Sequence, residues 1–138
     1  MHCQGTVQDV RKQYKFIEKE AQKSNLILEA NLLKAQARHQ DAADRFAQAA
    51  AIEEQLCQVL LHKGLRDKYF AHRFSALSCW AQAGDVYHAI VLGDELLARA
   101  DLPDPLRARI HEYVQLLQAR RVRWFAEFAP ATVATAIA

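Results

Sequence analysis

The chain is poor in residues that bend or stop a backbone. Only four glycines and three prolines occur in 138 residues, and Pro103, Pro105 and Pro130 all lie after residue 100. Helices can therefore run long before that point. β-branched residues are sparse and hairpin dipeptides such as Asn-Gly are missing, which excludes a sheet-rich fold. No apolar run of about 18 residues exists, so no membrane span is expected. An apolar signal core near the N-terminus is missing too, so secretion is not expected. The three cysteines are an odd number without paired spacing. They read as reduced thiols in a cytoplasmic protein. The net charge of +2 lacks the basic bias of a dedicated nucleic-acid binder, and nucleic acid is not an expected partner. No glycine-rich phosphate loop occurs. Asp85 and His88 could share a helical face, but no further ligand has suitable spacing, and structural zinc sites want four. Neither a metal nor a cofactor is expected.

What is present favours helix. Alanine, leucine, glutamine and arginine dominate, and all are good helix formers. The reading is all-α, one domain over residues 1–129, with an uncharged tail at 130–138 that has no place in the core and is expected to be flexible. Val10, Tyr14, Ile17 and Ala21 fall on one face of a first helix. Arg11, Lys15, Lys19 and Lys23 recur on another, read as a solvated face. Ser24-Asn25 allows a new helix cap or the middle of a long helix, so residues 7–40 are one helix or two. Leu26, Ala30, Leu33 and Ala37 continue an apolar stripe. Asp41 is the expected N-cap of the next helix, which carries Ala42, Phe46, Ala49, Ile52, Leu56, Val59 and Leu60 and should stop near Gly64. A third helix, Arg66–Ala83, ends at Gly84, and Asp85 caps a fourth. The segment from Leu102 to Pro105 stops that one. Asp104-Pro105 opens a last helix to about Phe128 with Ile110, Tyr113, Leu116, Leu117 and Val122 inside. Phe46 and Trp80 are expected in the core, and Gly84 is expected to hold a tight turn that a β-carbon disfavours.

Ala42-x3-Phe46-x2-Ala49 and the turn Ala83-Gly84-Asp85-Val86-x2-Ala89 resemble the tetratricopeptide-repeat family over about residues 25–101. Small residues in that pattern let two antiparallel helices cross closely. The pattern departs from the family in spacing: Ala42 and Ala89 are 47 residues apart, against about 34 for the standard repeat. Gly93 also stands where the family prefers an aromatic, and Ala37 stands where it would place glycine. The resemblance implies antiparallel helical hairpins stacked as a short right-handed superhelix, about five or six helices with the outer ones as caps. It also implies a groove that takes a partner peptide or helix. By polarity the groove residues would be Asn31, Lys34 and Arg38 from one hairpin and Arg73 and Gln82 from the next, a set that favours an acidic segment.

"RDKYFAH", Arg66 to His72, resembles the short motif of HEPN-type ribonucleases, small all-α domains that dimerise to build a metal-independent site. That resemblance gives Arg66 the phosphate, Asp67 the polar position and His72 the proton transfer at the ribose 2′-hydroxyl. Six residues turn a helix by about 240°, which points Arg66 and His72 in different directions. The opposing reading is an ordinary helix start with Asp67 near the N-terminal dipole. Cys57 and Cys79 sit among apolar residues and read as small buried hydrophobes.

The end of the last helix mixes charge with aromatic area. Arg120, Arg121, Arg123, Trp124, Phe125 and Phe128 cannot all face one way. Trp and Arg are residues that interfaces favour. The expected function is a non-enzymatic protein-interaction or adaptor module that holds an acidic partner segment, with a possible homodimer through the C-terminal helix. The alternatives are a HEPN-like ribonuclease or inactive relative using Arg66 and His72, and a self-associating structural protein.

Overall fold

The computed structural model describes residues 3–128, with side chains described from residue 7 to residue 127. The tail at 130–138 and the Phe128 side chain lie outside the described residues. Within them the chain is all-helical: α1 (Cys3–Ala35), α2 (His39–His62), α3 (Arg66–Gln82), α4 (Val86–Leu97) and α5 (Asp104–Phe128). The helices form two compact units, one ending at Asp85 and the other starting at Val86.

Of residues 7–40, open to two readings in the sequence, those up to Ala35 form one helix that runs through Ser24-Asn25, and α2 begins at His39. Proline is missing from it and its one glycine, Gly5, lies in the first turn, and at 33 residues it spans about 50 Å. α1, α2 and α3 then end in the same way. Arg38 N–H donates to Leu33 O (2.9 Å), Leu65 N–H to Leu60 O (3.0 Å) and Asp85 N–H to Trp80 O (3.0 Å). One residue earlier, Ala37, Gly64 and Gly84 donate to Lys34, Leu61 and Ala81. This double bond pattern is the Schellman motif, and it requires a left-handed residue at its centre. Gly64 (φ +72°), Gly84 (φ +89°) and Ala37 (φ +61°) supply it. The alanine that departs from the family pattern in sequence thus adopts the glycine conformation. The left-handed residues lie 27 and 20 apart (37 to 64, 64 to 84), so no single repeat period emerges.

The expected N-cap Asp41 instead lies inside the first turn of α2, whose N-cap is Arg38. Arg38 is the last residue of the preceding Schellman turn, so the turn itself sets the helix start. Asp41 serves that end differently: its carboxylate accepts bonds from Arg38 Nε (3.1 Å) and Nη2 (2.6 Å).

In the first unit α2 packs against both α1 and α3. A helix covered from two sides needs a wide buried face, and α2 has one: Ala42, Phe46, Ala49, Ala50, Glu53, Leu56, Cys57 and Leu60. Phe46 is buried as expected. Trp80 is partly buried, packed on Ala49, Ala50 and Cys79, while its indole N–H donates to Glu54 Oε1 at 3.2 Å. In the second unit α4 packs against α5. Ile110, Val114 and Leu117 form the buried stripe of α5, whereas Leu116 and Val122, expected inside, are exposed. The stripe runs in steps of four and three from Ile110, and Leu116 and Val122 fall off its phase. Arg107 ties the two helices together, donating from Nη1 to Leu97 O (2.7 Å) and from Nη2 to Arg99 O (2.6 Å). These are carbonyls at the end of α4, where no helical donor follows.

Leu26, Ala30 and Leu33 of α1 turn inward as expected, but the expected stripe in its N-terminal half does not. Val10, Tyr14 and Ile17 are exposed, Tyr14 by 65% and Ile17 by 53%. In that half the partly buried residues are Phe16, Glu20 and Lys23, followed by Ile27. Lys23, counted on the solvated basic face, turns inward because an acid waits for it on α2.

Candidate interaction surface

That acid is Glu53. It stands in phase with the apolar stripe of α2, between Ala49 and Leu56, and its side chain is fully enclosed. Each neighbouring helix sends it one partner. From α1 comes Lys23, with Nζ 3.4 Å from Oε2; from α3 comes His72, with Nδ1 2.5 Å from Oε1. His72 Nε2 lies 3.5 Å from Glu20 of α1, and the Phe16 ring meets the imidazole edge-on at 6.3 Å. Lys23 reaches Oε2 as an ion pair only; that oxygen has no hydrogen bond of good geometry. A buried charge is costly without partners, and this one has a partner on each side of its helix. Glu53, Lys23 and His72 therefore fix how α1, α2 and α3 register against one another. The charge inside an apolar stripe was visible in the sequence; its partners were not.

Next to this cluster lie two thiols. Burial pushes the Cys57 thiol up to about 12 and the Cys79 thiol up to about 11. For Cys57 the Arg73 charge opposes that shift; for Cys79 the Glu53 charge adds to it. Both are free and buried. Among the described residues no group of three or more His, Cys, Asp or Glu side chains is placed to hold a metal ion.

The expected site residues distribute as follows. His72 belongs to the cluster around Glu53. Arg66 is exposed at the first turn of α3, six positions away along the helix. Asn31 and Lys34 are exposed on α1, and exposed Arg38 is paired with Asp41. Arg73 is half-buried, its guanidinium 6.0 Å from the Tyr69 ring centre. Gln82 is exposed and donates to Ser78 Oγ at 3.3 Å. In the second unit Arg120, Arg121, Arg123, Trp124 and Phe125 are all exposed. Trp124 and Phe125 meet edge to face at 5.2 Å, and Arg121 sits 6.0 Å from the centre of the exposed Tyr87 ring on α4. α5 has 25 residues against 12 in α4. With Arg121 already level with the first turn of α4, its aromatic end runs on past that helix.

A surface missed in the sequence lies in the first unit. Asp9, Lys12, Gln13 and Phe16 of α1 face Leu60, Lys63, Leu65 and Lys68 across a groove of about 400 Å³. Phe16 and Leu65 provide apolar surface above the buried Leu60, and the three lysines give it a positive rim with Asp9 as the only acid among the described lining residues. Lys63 and Lys68 flank the Gly64 turn and carry no motif alone. Only the packing of α1 across that turn brings them opposite Lys12.

Compared with protein-family models, with curated proteins and with solved structures, the chain finds no match. Among the described residues no helix is long and apolar enough to cross a membrane.

Proposed function

We propose that the protein is a non-enzymatic interaction module that holds an acidic, amphipathic segment of another protein. The observation that carries this reading is the groove between α1 and the α2–α3 turn, where apolar surface from Phe16 and Leu65 is rimmed by Lys12, Lys63 and Lys68. Apolar surface supplies affinity, and a one-signed rim selects the sign of the partner and speeds encounter. The exposed Trp124–Phe125 pair beside three arginines gives the second unit a surface of the same character, aromatic and cationic. The same turn geometry at Ala37 and Gly64 supports a scaffold of tightly joined helices in the first unit, as in the tetratricopeptide-like reading.

Fluorescence anisotropy with labelled amphipathic peptides tests the reading. A peptide of leucines and glutamates should bind, and its lysine counterpart should not. Binding should weaken with salt and fall at least tenfold in Lys12→Glu/Lys68→Glu, because both rim charges are reversed. Equal binding of both peptides, or an unaffected variant, would reject the groove.

A further inference from the structure

The exposed apolar residues of α1 are not scattered. Val7, Val10, Tyr14, Ile17, Ala21 and Leu28 are all exposed. They follow the alternating three- and four-residue steps of a coiled-coil seam, with Ser24 at the one polar step. At about 100° per residue they share a band roughly 80° wide. The half-buried residues Phe16, Glu20, Lys23 and Ile27 and the buried Ala30 follow the same steps on a band centred about 140° away. α1 therefore carries two seams. One is filled by its own chain, and the other faces away from α2 and α3.

We propose that the outer seam of α1 pairs with the same seam of a second copy of this chain, in an antiparallel two-helix interface centred between Tyr14 and Ile17. The charges choose this occupant and this register. Arg11 and Glu18 each follow a seam residue by one position, so they lie on the same flank, seven residues apart. In an antiparallel pair each flank meets its own kind. With Tyr14 of one copy opposite Ile17 of the other, Arg11 meets Glu18 of the second copy, and the two-fold axis makes this contact twice. In the same register Val10 lies opposite the small Ala21. Sliding by one heptad in one direction sets Arg11 against Arg11; in the other it sets Glu18 against Glu18. Parallel pairing sets Glu18 against Gln13 and forms no ion pair. One arrangement satisfies both the apolar steps and the charges, and its neighbours are disfavoured by repulsion. The groove bearing Lys12 and Lys68 includes Phe16 of the inner band, so the two surfaces are separate.

Sedimentation velocity across a concentration series of the full chain tests this. The wild type should show a reversible monomer–dimer equilibrium. Arg11→Glu and Glu18→Arg should each weaken it at least tenfold, since the two-fold axis turns both ion pairs into repulsions. The double variant Arg11→Glu/Glu18→Arg should return to within a few-fold of wild type. Both positions changed are exposed, and circular dichroism confirms that each variant stays folded. A wild type monomeric at all concentrations would overturn the proposal. So would single variants without effect, or a double variant that fails to recover, because parallel pairing or another face would then hold the dimer. Lys12→Glu/Lys68→Glu should dimerise normally, so failure of the groove and failure of the seam are told apart.

Discussion

At the scale of single residues, Ala37 is the clearest case of sequence and geometry in tension. It holds φ +61° where the other two turns use glycine. The left-handed region costs an L-residue roughly 1–2 kcal/mol. Ala37→Gly is therefore expected to stabilise the fold by about 0.5–1 kcal/mol, the rest being offset by the freer unfolded chain. At Gly84 the reverse holds. A β-carbon there meets nothing within 4 Å, so the penalty of Gly84→Val is backbone strain alone, about 1–3 kcal/mol. Urea unfolding of both variants checks the two signs. The thiols give a pH dependence. Cys57 and Cys79 ionise near 12 and 11 when folded, against an ordinary value of 9.0. Below that ordinary value both states are protonated and the contribution is intact. Above it the unfolded chain loses its thiol protons first, so stability falls as pH rises, until the folded thiols ionise as well. Between pH 9.0 and about 11 the decline should be steeper for wild type than for Cys57→Ala/Cys79→Ala, measured by urea unfolding at several pH values.

At the scale of helices, much was legible. Few glycines and prolines, strong helix formers and four-residue periodicity give the helix boundaries near Gly64, Gly84 and Asp104. What was not legible has a physical cause in each case. Periodicity marks a face as apolar but does not say what covers it. On α1 the stripe Val10–Tyr14–Ile17 is the cleaner of two, yet the chain folds the other one inward, because Lys23 and Glu53 attract across the interface and Phe16 meets His72. Asp41 has the chemistry of an N-cap, but the Schellman turn before it determines where α2 begins. Arg107 was not singled out, because its partners are carbonyls ten and eight residues back in the chain. Two charge-assisted bonds, to Leu97 O at the end of α4 and Arg99 O just past it, make it a polar tie between α4 and the start of α5. Arg107→Ala should destabilise the second unit by about 1.5–3 kcal/mol, seen as faster amide exchange at residues 95–99 than in wild type.

At the scale of the whole chain, long helices paired with shorter ones explain where the open surfaces lie. α1 has 33 residues against 24 in α2, and α5 has 25 against 12 in α4. A long helix cannot bury its whole length on a shorter neighbour, so its surplus apolar residues stay in water unless another chain covers them. The Trp124–Phe125 end of α5 is a surface of this kind, whereas the outer seam of α1 stays open because it lies on the side of the helix away from α2 and α3, and the groove at Lys12 and Lys68 forms where α1 crosses the α2–α3 turn. Folding thus rests on the face around Glu53 and Phe46, and the proposed interactions rest on apolar residues held outside it. The most direct test is the stability of Tyr14→Lys/Ile17→Glu at about 1 μM, where self-association contributes little. The double variant should unfold within about 0.5 kcal/mol of wild type, as a surface change does. Phe46→Ala, in the buried face, should lose about 3–5 kcal/mol. A loss of that larger size in Tyr14→Lys/Ile17→Glu would show that the outer stripe of α1 is core, and would contradict the account.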